Sequence, residues 1–348
     1  MGVVEKMNLA GRHRFARARR WPAAAALAAL LLLLLAGCGG ASGGGADGVK
    51  GGKNGGSGAA EDGKPGVVAS FYPLFFLASE IGGDRVNVSN LVPTGVEPHD
   101  WTPKSRDLAR ISRADLFLHS GAGFEGWTDE LLDGIEADSG VRIVEASEGI
   151  ALIPLDEEEA DEHGHEHGDE RHGHEGVDPH VWVSPRSMLR MAENVRDALI
   201  AADPANAAAY EANHEALAGR LRALDEAYER ELADLPRRDI VVSHRAFAYL
   251  CRDYGLNQIA VMGLSPEAEP KAQDLKRIVE FVRERGIRYI FFEELVSDRL
   301  ARTLASEAGA ETLVLNPVEG LTPEQEANGD DYVTIMEMNL QNLKKALQ

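Results

Sequence analysis

Apolar and polar positions change rhythm repeatedly along this chain. Between residues 66 and 146, short runs rich in β-branched and aromatic residues alternate with amphipathic stretches. Strands are expected at 67–70, 86–92, 114–120 and 141–146, and helices at 74–81, 104–113 and 126–135. The alternation returns after residue 238, with strands at 239–243, 257–262, 289–294 and 311–316 and helices at 247–254, 272–285, 298–308 and 332–347. Spacing of this kind builds βαβ units on a largely parallel sheet. Between the halves lie a helix at 185–202 and an uninterrupted helical pattern at 206–235, rich in Ala, Leu, Glu and Arg. At ~1.5 Å per residue the second would reach about 45 Å, as long as a small domain is wide. The expected fold class is therefore α/β, with two βα-alternating lobes on parallel-type sheets joined by one long rigid helix.

Two stretches break the rhythm. Residues 1–37 carry a basic start (Arg12, Arg14, Arg17, Arg19, Arg20), an Ala/Leu run from 23 to 35, and then Ala36 and Gly37 before Cys38. About 13 to 15 apolar residues are few for a membrane span and enough for a signal-peptide core. Leu35-Ala36-Gly37-Cys38 resembles a bacterial lipobox, which implies a lipid on Cys38 as the mature N-terminus; the alternative is an uncleaved anchor. Either reading puts the rest of the chain outside the cytoplasmic membrane. Residues 38–65 have the Gly, Ser and Ala content of a flexible tether. The second break, DEEEADEHGHEHGDERHGHE at 156–175, has no apolar periodicity and is expected to be a mobile loop. It holds His163, His165, His167, His172 and His174, five of the eleven histidines.

The expected organisation is a lipoprotein signal peptide (1–37), a tether (38–65), a first lobe (66–204), a linker helix (205–235) and a second lobe (236–348). A balance of 57 acidic to 36 basic residues, net charge -21, argues against nucleic acid and anionic lipid as partners and suits a cationic ligand. Much of that excess is local to 156–175. With Cys38 assigned to lipidation, Cys251 remains alone, so no disulfide framework is expected. Its place in AFAYLCRDYGL suits a buried, inert thiol.

Four potential metal ligands stand at wide intervals, each after or near an expected strand: His99, His180, His244 and Glu319. In open parallel sheets a ligand site forms beyond the carboxyl ends of the strands. Three imidazole nitrogens and one carboxylate oxygen suit tetrahedral Zn²⁺, whereas Mn²⁺ favours more oxygen. Each member alone also has an ordinary reading. His99 could be a turn residue, His180 a loop cap, His244 a helix N-terminal residue and Glu319 a solvated loop carboxylate. His119 ends a strand and could line the cleft, while His214 in the long helix is expected on its surface.

Segments spread over the whole folded region then carry a resemblance. GVEPHDWTPKSRDLARISRADLFLHSGAGFEGW, DPHVWVSPR, VVSHRAFAYLCRDYGL, GLSPEAEPKAQDL, FFEELVSDRLARTLASEAGA and LNPVEGL occur in this order. Together they resemble the metal-binding lipoproteins of zinc and manganese ABC importers, the cluster A-I group of solute-binding proteins. The resemblance implies that His99, His180 and His244 are ligands, with Glu319 in the place of the fourth, acidic one. Glu97, two residues before the first histidine, or water is the alternative fourth ligand. Manganese-type members tend to carry a carboxylate at the third position and Asp at the fourth, so His244 and Glu319 favour zinc. The acidic, His-rich loop also resembles that of zinc-type members.

The expected function is capture of Zn²⁺ outside the cytoplasmic membrane by a lipid-anchored monomer that delivers it to an ABC permease, without enzymatic activity. Residues 156–175 would be either a low-affinity zinc collector or a solvated acidic insertion. A manganese-binding protein of the same family is one alternative. A zinc hydrolase is another, although no HExxH pattern is present. A surface adhesin stabilised by metal is the third. Because ligand histidines must be neutral, zinc affinity should fall below about pH 6.5.

Overall fold

The structure, a computed structural model, describes residues 63–128, 131, 134–135, 139–155, 176–267 and 270–348. The expected signal peptide, Cys38, nearly all of the tether, and residues 156–175 with His163, His165, His167, His172 and His174 lie outside the described residues. The helix expected at 126–135 falls partly outside them.

Two sheets of identical topology form the frame. In the first lobe β1 (Gly66–Ala69), β2 (Asn87–Asn90), β3 (Leu116–His119) and β4 (Arg142–Glu145) lie in the order β2-β1-β3-β4, all parallel. In the second, β5 (Asp239–Val242), β6 (Asn257–Ala260), β7 (Tyr289–Phe292) and β8 (Glu311–Val314) follow β6-β5-β7-β8, again parallel. Apart from β1, which is shifted by one residue, each strand is shorter than the apolar run that encodes it, because the runs continue into the loops after the strand ends.

Among the described residues the α-helices are α1 (Tyr72–Gly82), α2 (Ser105–Ile111), α3 (Pro185–Ala202), α4 (Ala207–Leu232), α5 (Ala248–Tyr254), α6 (Ala272–Arg285), α7 (Arg299–Ala308), α8 (Pro323–Asn328) and α9 (Tyr332–Leu347). Only α8 has no counterpart in the apolar pattern. It is six residues, PEQEAN, started by a capping box between Thr322 and Gln325 and ended by Gly329 in the left-handed region. Among the described residues no helix is long and apolar enough to cross a membrane.

Successive strand residues point to opposite sheet faces, and this divides the interior. Val67, Ala69, Leu116, Leu118, Ile240 and Val242 face one continuous core that runs through α3, α4 and α9 and serves both lobes. Val68 and Phe117 face a small outer core of the first lobe, and Val241 and Ile290 face that of the second. The central strands are thus apolar on both sides, as parallel sheets covered on both faces require.

Helix α4 runs along the shared core for 26 residues, about 39 Å at ~1.5 Å per residue. It is tied to the first lobe by Asn213 Nδ2 donating to Ile81 O at 3.0 Å and to the second by Tyr228 OH donating to Met336 O at 2.7 Å. Arg220 bonds both Glu80 of α1 and Asp331, the N-cap of α9. Its buried stripe is Tyr210, His214, Leu217, Leu221, Leu224 and Tyr228, spaced by three and four. His214 is therefore buried, against the expectation of a surface place: it falls on the inward stripe, and burial first, then Arg196, lowers its pKa. Cys251 is buried as expected, and burial pushes its thiol upward.

If α4 joins the lobes through this stripe, Leu221→Ala should cost about 2–5 kcal/mol of stability. Exposed Glu226→Ala should stay within about 0.5 kcal/mol. Chemical denaturation of both variants checks the contrast, and equal effects would contradict it.

Candidate metal centre

The strand ends and their loops bring the four candidate side chains to one point between the lobes. His99 lies in the loop after β2, and His180 immediately precedes the 3-10 turn Val181–Val183 that leads into α3. His244 stands two residues beyond β5, and Glu319 lies in the loop between β8 and α8. One ligand atom from each lies within 4.8 Å of every other. His99 Nε2 is 3.2 Å from His180 Nε2 and 3.4 Å from Glu319 Oε1. Glu319 Oε1 is 3.6 Å from His180 Nε2 and 3.5 Å from His244 Nε2. Four donors placed ~2.0–2.1 Å from a tetrahedral zinc stand ~3.3–3.4 Å apart, and these four separations lie close to the edges of such a tetrahedron.

The site is closed off from water. His180 and His244 are fully buried and Glu319 is 2% exposed, while the His99 side chain keeps 10%. His244 Nε2 and Glu319 Oε1 are buried without a hydrogen-bond partner. Buried polar atoms are otherwise nearly always paired, and two that point at one space of cation size fit a bound ion.

Behind the donors stand carboxylates. Asp178 Oδ1 accepts from the backbone N–H of His180 at 2.9 Å and lies 3.0 Å from its Nδ1. Glu293 Oε1 lies 2.6 Å from His244 Nδ1 and also accepts from Ser243 Oγ. A carboxylate on Nδ1 keeps the proton there and turns Nε2 inward as an acceptor for a metal. Glu97 Oε1 accepts from the backbone N–H of His99 at 2.8 Å, and its Oε2 is buried and unpaired.

A family model described as zinc-uptake complex component A, periplasmic (ZnuA), matches residues 67–346. The chain belongs to this family. It is 42% identical over 284 residues to the zinc-binding lipoprotein AdcA of Streptococcus pneumoniae serotype 4, covering 82% of this chain and 56% of that protein. It is 40% identical over 281 residues to the high-affinity zinc uptake system protein ZnuA of Bacillus subtilis, covering 81% of this chain and 87% of that one. The crystal structure of the Zn(II)-bound ZnuA-like domain of Streptococcus pneumoniae AdcA matches with a TM-score of 0.70 at 38% identity, covering 82% of this chain and 99% of that chain. The chain thus spans little more than half the length of the AdcA relatives, and nearly all of their ZnuA-like domain.

The other expected residues separate cleanly on this ZnuA-family frame. His119 ends β3 with its ring 6.0 Å from Phe117, outside the group of four. Asp178 and Glu293 were not anticipated. The first could have been noticed from Asp-Pro-His, which sets a carboxylate two residues before an imidazole. The second could have been noticed from two glutamates closing the buried run YIFF.

Protons on the metal-free site follow from these neighbours. Burial holds His180 below the ordinary histidine value, Asp178 notwithstanding, so its ring is neutral. Burial also opposes charge on His244, but Glu293 and then Glu319 outweigh it and hold the ring well above that value. Burial alone would raise Glu319; His99 and His244 overcome it and keep the carboxyl well below the usual range. Burial and then the Glu319 charge push Glu97 up to about 8. An entering cation must therefore displace the His244 proton, and at neutral pH that of Glu97 if this carboxylate ionises beside the ion. Protons bound in the metal-free state and lost on binding make affinity rise with pH, about tenfold per pH unit for each proton released. Zinc titrations between about pH 6 and 8 should show this slope, and calorimetry in buffers of different ionisation enthalpy should show the released proton. A flat profile would contradict the protonated His244.

Proposed function

We propose that this protein captures Zn²⁺ outside the cytoplasmic membrane and delivers it to an ABC permease, with Nε2 of His99, His180 and His244 and Oε1 of Glu319 as the ligands. The observation that carries the reading is the set of four donors within 4.8 Å of one another, four of their separations between 3.2 and 3.6 Å and two of the atoms buried and unpaired. Glu319 is preferred to Glu97 as the fourth ligand because it belongs to the converging group and Glu97 does not. Four protein donors leave no open position for a reacting water, which speaks for binding and against hydrolysis. Mn²⁺ is disfavoured because one carboxylate among three imidazoles is poor in the oxygen it prefers.

The rest of the reading has its support in the sequence and the relatives. The basic start, apolar run and Leu35-Ala36-Gly37-Cys38 support a lipid on Cys38 and attachment to the outer face of the cytoplasmic membrane, with residues 38–65 as tether. The relatives' zinc-uptake names support a permease partner and a transport role without catalysis. A monomer suffices, since one chain supplies all four donors. The stiff α4 favours release by movement of the ligand loops over wide opening of the lobes. For His163, His165, His167, His172 and His174, the composition of 156–175 supports a low-affinity collector.

Elemental analysis should find one tightly held zinc that excess Mn²⁺ does not displace. His99→Ala or Glu319→Ala should each weaken zinc by more than the ~10–100-fold typical of a residue behind the ligands. Manganese displacing zinc, or unchanged affinity in both variants, would sink the assignment. Deleting 156–175 should lower the number of zinc ions bound at high concentration and leave the tight one in place, whereas unchanged stoichiometry would make the segment an inert insertion.

A further inference from the structure

We propose that Trp182 is a positioning residue for this metal site: its indole N–H, given by the first lobe to the Pro317 carbonyl of the second, holds the turn that aims Glu319 at the three histidines. The inference rests on the zinc reading above and concerns what keeps that site four-coordinate.

The Glu319 loop is not a relaxed one. Val318, the residue before the ligand, has φ 59 and is fully buried. This is the left-handed region, where a β-branched side chain is an outlier. Such a conformation persists when its surroundings over-determine it, and here three sets of hydrogen bonds do so. Val318 N donates to Asn316 Oδ1 at 2.7 Å. The Asn339 side chain of α9 brackets the Asn316 backbone, accepting from its N–H at 2.8 Å and donating to its carbonyl at 2.6 Å. Trp182 Nε1 donates to Pro317 O at 2.8 Å. The first two come from within the second lobe; the third comes across from the first.

Trp182 is itself locked. It is fully buried, its ring lies 4.7 Å from Phe71 and 4.6 Å from Phe124, and its carbonyl accepts from Tyr332 OH, on α9, at 2.7 Å. Its ring is also 5.4 Å from that of His180, two residues before it in the chain. One short segment of the first lobe thus carries a ligand and reaches across to the turn that orients another. Without that bond the turn is held only from within the second lobe, so Val318 is less firmly kept in the left-handed region and the Glu319 carboxylate can swing away from the three histidines. The remaining three imidazoles then leave room for water, and a site open to water favours ions that take more oxygen. Trp182 therefore determines metal preference without touching the metal.

Trp182→Phe keeps an aromatic ring and removes the N–H, while Tyr332→Phe removes only the bond to the Trp182 carbonyl. Both proteins, with the wild type, are stripped by chelator, loaded with Co²⁺ for visible absorption, and titrated with Zn²⁺ against Mn²⁺. The wild type should give the intense bands of four-coordinate cobalt. Trp182→Phe should weaken them and lower the zinc-over-manganese preference about 10–100-fold, with a smaller change of the same sign in Tyr332→Phe. Wild-type bands and preference in both variants, with only a lower unfolding temperature, overturn the proposal and leave Trp182 as core packing. If Trp182→Phe does not fold, unchanged bands in Tyr332→Phe overturn it alone. A wild type without four-coordinate cobalt overturns the zinc reading itself, and this inference with it.

Discussion

Two lobes that share one core leave between them a small space into which His244 Nε2 and Glu319 Oε1 point with no partner of their own. Much of the molecule makes sense as the means of keeping that arrangement. Unpaired buried polar atoms are costly, and a chain left to itself would move them to water. Here they cannot move far. Each sits at the carboxyl end of a parallel sheet, and each sheet is packed on both faces, by its own outer core and by the core common to both lobes.

Several of the connections that hold the donors in place cross between the lobes. Tyr249 OH, from α5, donates to the carbonyl of Asp178, the residue behind His180. Trp182, in the turn after His180, donates to the Pro317 carbonyl and accepts at its own carbonyl from Tyr332 OH, both partners lying in the second lobe. Helix α4 bonds both halves along its length. A protein built this way is suited to holding an ion in a nearly preformed shell, where the ordering cost has been met in folding. The carboxylates behind His180 and His244 hold the Nδ1 side of each ring and so turn Nε2 toward the shared space, where it would face an ion.

Much of this was visible in the linear pattern, and what was missed has a common cause. The strands and long helices follow from hydrophobic period, which is a local property. Helix α8 escaped because six residues, four of them polar, have no period to read, although Thr322 and Gln325 stand at capping-box spacing. His214 was placed on the surface because a lone histidine among Ala, Glu and Arg looks solvated; counting from Tyr210 by four and on to Leu217 by three would have put it on the buried stripe. Glu293 and Trp182 have roles set by neighbours found only after folding: Pro317 lies 135 residues from Trp182, and Glu293 lies 49 from His244.

The sequence by itself determined the two alternating halves, the long helix between them, the kinds of side chain available to a metal and their order along the chain, since period, composition and motif order are properties of the line. Tertiary structure decided that four of those side chains converge on one space, that two of their donor atoms are left unpaired, and that a left-handed valine precedes the carboxylate in a turn bonded by an indole from the opposite lobe. Those are relations of distance between residues remote in the chain, and only the packing of both sheets against one shared core brings them into being.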